Sequence, residues 1–413
     1  MTQQVLKAED PVYGGYVINR AEGIVFIKGA IPGEVVEVQV EEKKRDYLVA
    51  SVVDIVEPSP HRMEPTCQHF GQCGGCHLQF IDYHEQVRMK RHVLLDCLKR
   101  IGGMEISEVD ALYGPEFGYR MRAQFKVSKE GATGFYKEGT REIVPIVSCP
   151  LMDDRINDLY AKVRVSELGD IREVHISVGE TAALALLKGV QYDEAIANRF
   201  MDMGFTGVAF DDGRYLGSGP SYIDLDLNGL KYYVSPWSFF QSNWELNKRL
   251  VTILTQSIGE TEGRAILDLY AGAGNFSLEP SIKARLTTAV EENPYAAEDA
   301  KRNALQNRVS NYKIIKAPAE SPKITGEYDI VLLDPPRPGL TNAAMAKVLE
   351  VAPQTIAYVS CNPSTFARDL KRLSDKYEVG PVTMIDLFPN TYHVESFTVL
   401  TRKPQPAAGQ PQA

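Results

Sequence analysis

Polar and apolar positions alternate through Val35-Val36-Glu37-Val38-Gln39-Val40, and Val25-Phe26-Ile27 and the stretch 47–56 are runs rich in β-branched residues. A period of two predicts short strands across residues 12–56. Gly14-Gly15, Lys28-Gly29, Pro32-Gly33 and the charged tip 41–46 punctuate them as turns. Strands of this length and spacing predict a small all-β, OB-like barrel over residues 1–58. Pro58-Ser59-Pro60 reads as a linker. The period then lengthens, because Val87, Leu94, Leu95 and Leu98 recur at helical spacing and predict a helix over 83–100. Strand-like and helical pieces alternate from Tyr119 to about Asp226, which predicts a central mixed α/β domain over 59–234. An aromatic loop follows Pro236, and 243–258 reads as helix. Beyond Arg264 the rhythm is strand, glycine-rich turn, helix, strand, the mark of a doubly wound parallel sheet over 235–404. Pro, Ala, Gln and Gly dominate 404–413, so residues 405–413 read as a disordered tail.

The length of 413 residues fits such a multi-part chain. Hydrophobic residues at 44% and charged residues at 24% exclude collagen-like and disordered readings. No apolar run approaches the ~18 residues of a membrane span, and the start lacks the basic-then-apolar layout of a secretory signal. The expected location is the cytoplasm, with no membrane partner and a monomeric chain. Six cysteines are too few for a disulfide scaffold at this size, so a tight cysteine group points to metal or catalysis. A net charge of −9 argues against nonspecific coating of nucleic acid while leaving room for a local basic cleft. The β-rich start is itself acidic, so RNA binding there would rest on shape and a few side chains, with a plain structural appendage as the alternative.

Three strand ends carry the first chemical signal. Ala265-Ile266-Leu267-Asp268-Leu269-Tyr270 is a buried-strand pattern followed by Ala271-Gly272-Ala273-Gly274-Asn275. Glycines there let the backbone approach a ligand and launch a helix. The next strand ends in Glu291, an acid placed to accept ribose hydroxyls. A third, 328–334, ends in Asp334-Pro335-Pro336. With Ser277 where a third glycine would stand, the set resembles an S-adenosylmethionine methyltransferase more than a nicotinamide dehydrogenase.

Ile356-Ala357-Tyr358-Val359-Ser360-Cys361-Asn362-Pro363 sets a cysteine at another strand's end, and Asn-Pro forces a turn that brings it to the crevice lip. Before the last strand lies His393-Val394-Glu395. A thiol, a carboxylate and a methyl donor suit one chemistry. The C5 carbon of uracil is a poor nucleophile until a thiolate adds at C6, and the C5 proton must later leave to a base. Cys361 is the candidate nucleophile and Glu395 the candidate base. A reactive thiolate implies surroundings that lower the Cys361 pKa.

At this point the sequence resembles the RNA uracil-5-methyltransferase family along nearly its whole length. Ser360-Cys361-Asn362-Pro363 matches the nucleophile motif, His393-Val394-Glu395 the base motif, and Asp334-Pro335-Pro336-Arg337-Pro338-Gly339 a further family segment. Ser235-Pro236-Trp237-Ser238-Phe239-Phe240-Gln241-Ser242-Asn243 resembles the family's aromatic loop. The resemblance implies a Rossmann-like methyltransferase domain using S-adenosylmethionine, with Gln241, Tyr270, Glu291 and Asp334 lining the cofactor pocket and Asn275 close by. It also implies a TRAM-type, OB-like domain at the start. Pro318 stands where relatives usually carry a polar adenine contact, so that contact is not assigned.

Cys67, Cys73 and Cys76, interleaved with Gly71, Gly74 and Gly75, form a metal-binding knuckle. On spacing alone zinc is an alternative to iron and sulfur, and the fourth ligand is Cys97 or Cys149. The resemblance implies a [4Fe–4S] cluster on Cys67, Cys73, Cys76 and Cys149, with a structural role. His69 and His77 could ligate zinc, but contact with solvent or RNA is the favoured reading. Arg120, Arg122 and Lys126 alternate along a strand and, with Arg88, Lys90 and Arg91, are candidate phosphate contacts. The favoured reading is methylation of a uridine in 23S ribosomal RNA, serving rRNA processing. The T-loop uridine of tRNA is the alternative of the same class, and a noncatalytic RNA-binding assembly factor the alternative of another.

Overall fold

Period-two segments become strands and the longer-period segments become helices, largely where the pattern puts them. The computed structural model describes residues 3–404, so the tail expected at 405–413 lies outside the described residues. The chain forms two units, one of residues 1–94, 111–249 and 385–394, the other of 95–110, 250–384 and 395–413.

In the first unit, six strands form one sheet in the order Gln3–Lys7, Val35–Lys43, Leu48–Glu57, Val25–Lys28, Tyr16–Asn19, Pro11–Val12. Val17, Ile27, Val36, Val38 and Ala50 are fully buried, the inward half of the alternation. Leu78, Ile81 and Met89, from beyond the strands, complete this core. The Pro58-Ser59-Pro60 segment is no loose linker. Buried Glu34 accepts hydrogen bonds from the Ser59 N–H at 3.0 Å and from Arg62 Nε and Nη2 at 2.7 Å each. A carboxylate out of water needs such partners, and they tie the segment to the sheet.

The same unit holds a seven-stranded sheet, ordered Ile143–Pro145, Thr133–Tyr136, Arg122–Val127, Glu173–Val178, Ala183–Lys188, Gly207–Phe210, Tyr215–Gly217. Helices Asp154–Val163 and Glu194–Asp202 pack on it through Ile156, Leu159, Tyr160, Ala197 and Phe200. Helix Tyr83–Arg100 begins in this unit.

The second unit is built on a sheet whose strands Tyr312–Lys316, Leu286–Glu291, Ala265–Leu269, Ile330–Leu333 and Thr355–Ser360 are parallel neighbours in that order. Glu395–Arg402 then pairs antiparallel with Thr355–Ser360. Ala265–Leu269, Ile330–Leu333 and Thr355–Ser360 are buried at every residue, as strands covered on both faces must be.

Candidate active site

All strands of a parallel run end on the same side, so their terminal residues gather there. Leu269 pairs with Val290 on one side and Leu333 on the other. The next residue in each case is Glu291, Tyr270 or Asp334, so all three follow directly on these paired positions. The backbone then turns through positive φ at Tyr270 (71°), Gly272 (55°) and Gly274 (89°). A Cβ at Gly274 would lie 3.0 Å from the Tyr312 hydroxyl, so this turn stays bare and open to a ligand. The Glu291 carboxylate is aimed by the Gly272 N–H at 2.8 Å and the Asn293 N–H at 2.7 Å. Asn275, half-buried, lies in the same turn. These features fit a ribose-bearing cofactor: a bare glycine turn and a fixed carboxylate.

Asp268 was not singled out from the sequence, although an acid inside an otherwise apolar buried strand is a visible signal. Burial, with Glu291 adding its charge, pushes its carboxyl up to about 7, and its Oδ2 has no hydrogen-bond partner. Asp334 is likewise raised to about 7 by burial and then by the charge of Asp268.

Ser360 pairs with Ser396 in the antiparallel ladder. Cys361 follows Ser360 and Glu395 precedes Ser396, so the two side chains emerge next to this last pair. Burial and then Asp334 raise the Glu395 carboxyl to about 8. The expectation for Cys361 is overturned. Burial, then the charges of Glu395 and Asp334, push its thiol up to about 12, against the pull of Arg337. The side chain sits among acids rather than beside a surplus of cations, so the free protein keeps it protonated.

The turn after Cys361 is locked locally. Asn362 caps helix Pro363–Leu373, accepting from the Ser364 N–H at 3.0 Å and the Thr365 N–H at 3.4 Å, with Pro363 in the first turn. Asn362 Nδ2 and Thr365 Oγ1 donate to the Arg337 carbonyl at 3.3 and 3.2 Å, fastening the 334–339 loop to the thiol's turn. Fully buried Asp369 accepts from the Tyr358 hydroxyl and the Leu340 N–H, each at 2.8 Å, holding the loop's far end.

Gln241 belongs to the first unit. It is buried in the loop between strand Leu230–Val234 and helix Trp244–Ser257. Arg122 braces that loop, donating to the Ser238 carbonyl at 2.5 Å and the Pro236 carbonyl at 3.4 Å, with its guanidinium 6.0 Å from the Phe240 ring. Burial lowers its pKa to about 10.

Several of the cations expected to contact phosphate have partners within the protein. Arg122 is spent on the loop, and Lys126 pairs with Glu173 at 2.7 Å. Lys90 is buried against Asp386 at 2.7 Å, and Arg88 is bound to Glu85. Arg120 lines the cysteine pocket. The alternation was read correctly: Ala123, Phe125 and Val127 are buried, while on the other face Gln124 is exposed and Arg122 and Lys126 are half-buried with partners inside the protein.

Cys67, Cys73, Cys76 and Cys149 line one pocket together with Arg120 and His69, and all are free thiols. Cys97 is buried elsewhere, its Sγ 3.6 Å from the Ser364 Oγ. Gln79 Nε2 donates to the Cys76 Sγ at 3.2 Å and the Gly75 N–H approaches the Cys73 Sγ at 3.4 Å. Burial raises the thiols of Cys76 to about 12 and Cys149 to about 11. Among the described residues, no three or more His, Cys, Asp or Glu side chains are grouped as a metal-ion site. His69 and His77 are half-buried. His69 Nε2 accepts from the Val147 N–H at 3.2 Å, and the His77 ring packs 4.5 Å from that of Tyr392.

Residues 222–403 match the family model described as tRNA (Uracil-5-)-methyltransferase, and residues 15–53 match the TRAM domain. An RNA methyltransferase of Aquifex aeolicus is 36% identical over 96% of this chain and 98% of its own. A 23S rRNA (uracil(1939)-C(5))-methyltransferase of Alkalilimnicola ehrlichii is 32% identical over 95% of each. Among solved structures, the Pyrococcus abyssi tRNA (uracil-54, C5)-methyltransferase in complex with S-adenosyl-L-homocysteine aligns with a TM-score of 0.75. The identity is 26%, over 97% of this chain and 99% of that one.

Proposed function

The chain belongs to the RNA uracil-5-methyltransferase family, an S-adenosylmethionine-dependent class of enzymes, and from that premise we propose that it methylates C5 of one uridine in 23S ribosomal RNA. The observation that supports the mechanism is that Cys361 and Glu395 directly adjoin the paired Ser360 and Ser396, with the charges of Glu395 and Asp334 both felt at the thiol. The Cys361 thiol gives its proton up to solvent as Sγ bonds to C6 of the uracil, and the C5–C6 π electrons move toward the C4 oxygen, giving an enolate whose C5 is nucleophilic. S-adenosylmethionine, when bound, supplies the methyl group. Glu395 then takes the C5 proton, the C–H electrons restore the C5–C6 double bond, and Cys361 leaves as thiolate. Tyr270, Asn275, Glu291, Asp334 and Gln241 are assigned to the cofactor.

Ribosomal RNA is favoured by the end-to-end likeness to a 23S enzyme. The tRNA reading draws on the solved relative. RNA substituted with 5-fluorouridine separates an enzyme from a noncatalytic binder, because fluorine cannot leave C5 as a cation. With S-adenosylmethionine the protein should form a stable adduct on its target RNA, and Cys361→Ala should form none. Absence of an adduct on both rRNA and tRNA would overturn the proposal. Mapping 5-methyluridine in both RNA classes from a strain lacking the protein identifies the target.

We read Cys67, Cys73, Cys76 and Cys149 as ligands of a [4Fe–4S] cluster. The donor set fits: four free thiols face one pocket, two of them approached by N–H donors that suit thiolate sulfur. Grouped without a disulfide, they also suit a cytoplasmic setting. The three-part layout with boundaries at 58 and 234, a monomeric state and a structural role for the cluster belong to the same reading.

A further inference from the structure

We infer that Gln79 is a positioning residue of the cysteine site, which joins Cys67 to Cys76 and raises the reduction potential of the bound cluster. The inference rests on the [4Fe–4S] reading above and is independent of the uracil chemistry. Gln79 is 2% exposed, so both ends of its amide must find partners inside the protein. They find them on two cysteines. Oε1 accepts from the Cys67 N–H at 3.0 Å, and Nε2 donates to the Cys76 Sγ at 3.2 Å. The first bond fixes the second: a backbone N–H can only donate, so the amide oxygen faces Cys67 and the amide nitrogen faces sulfur.

A neutral thiol is a weak acceptor and a poor use of a buried amide donor. A metal-bound thiolate is a strong acceptor, and an N–H aimed at it makes a charge-assisted bond. The rest of the pocket carries the same sign. The Gly75 N–H approaches the Cys73 Sγ at 3.4 Å. Arg120 lines the pocket, its Nε buried and without a hydrogen-bond partner among the described residues. Its backbone holds it there: the Arg120 N–H donates to the Leu151 carbonyl at 2.9 Å, and its carbonyl accepts from the Asp153 N–H at 3.0 Å. Those bonds flank the turn after Cys149, whose own N–H and carbonyl are tied to the Asn157 side chain at 2.9 and 3.0 Å. No carboxylate is among the described residues that line the pocket. Donors and a cation thus surround the thiols, the arrangement that a buried, negatively charged group requires.

Hydrogen bonds to the ligand sulfurs help set a cluster's potential. A donor draws electron density from the sulfur and so favours the reduced, more negative core. The Gly75 donor is backbone and survives any side-chain change. The Gln79 donor can be removed.

Gln79→Leu deletes both amide bonds at similar volume. The full chain is purified without oxygen, its iron is counted, and its midpoint potential is measured by spectroelectrochemistry, the electrode supplying the single electron that the core gains. We expect iron equal to wild type and a reduction equilibrium about tenfold less favourable, a potential about 59 mV more negative. A residue that only packs the loop would leave the potential where it was. A potential equal to that of wild type overturns the inference. Loss of the cluster from a folded variant overturns it too, since Gln79 would then be a prop of the loop and nothing more. Should Gln79→Leu fail to fold, Gln79→Met, unbranched and of similar length, is judged by the same outcomes, and loss of the fold in both counts with loss of the cluster. Wild type is measured in parallel. Wild type without iron fails the cluster reading itself, whereas iron-loaded wild type with an unchanged potential in Gln79→Leu fails only this inference.

Discussion

Glu395 is 4% exposed, and removing a carboxylate from water makes its ionisation costly. Its pKa of about 8, against an ordinary 4.5, means the folded protein keeps a proton that the unfolded chain has already released between those values. Stability is therefore greatest below the lower value and is lost as pH rises through the window to about 8. Asp268 and Asp334, each raised to about 7, act in the same sense. We expect the melting temperature of wild type to decline from pH 5 to pH 8 (about the span of the raised groups) more steeply than that of Glu395→Gln, measured by thermal denaturation in matched ionic strength. The same variant should accumulate the methylated adduct on uridine RNA, since it lacks the base. For wild type, kcat/KM should rise with pH across the range in which Glu395 ionises. Both candidate groups were picked out because the motifs around Cys361 and Glu395 resemble family motifs; position at a strand end alone would leave a buried thiol and a solvated acid. Their ionisation was not legible, because it depends on which acids the fold brings around the thiol.

At the scale of elements, the strands of the parallel sheet were readable because continuous apolar runs bounded by Gly, Pro and Asn admit few alternatives. Strand Arg122–Val127 teaches the opposite lesson. Its alternation is real, with Ala123, Phe125 and Val127 in the core, yet period two tells which residues share a face and not what lies against it. Arg122 meets two carbonyls of the loop that carries Gln241. Replacing it with Ala should lower turnover by loosening that loop, while the salt dependence of RNA binding keeps its slope. A phosphate contact would instead reduce that slope by roughly one unit. Titrating RNA affinity against salt for both proteins decides the matter.

Across the whole molecule, the order of parts was readable from changes of hydrophobic period, and the cysteine cluster from spacing within a chain of only six cysteines. Spacing alone left Cys97 and Cys149 open as the fourth ligand and the family resemblance chose Cys149; in the fold Cys149 lines the pocket of the other three, while Cys97 is buried beside Ser364. Protein purified without oxygen should carry about four iron atoms per chain and a broad visible absorbance. Cys76→Ser should lose both and melt at a lower temperature. Iron-free protein with unchanged melting would remove the structural role proposed for the cluster.

The pairing of Ser360 with Ser396 has a consequence for anyone who edits this chain. Because neighbouring residues on a strand point to opposite sides, sliding Glu395–Arg402 by a single place would carry the acid through the sheet to its far surface. Small insertions or deletions between the two reactive side chains thus divide into those a loop absorbs unnoticed and those that abolish chemistry outright, with no graded series between.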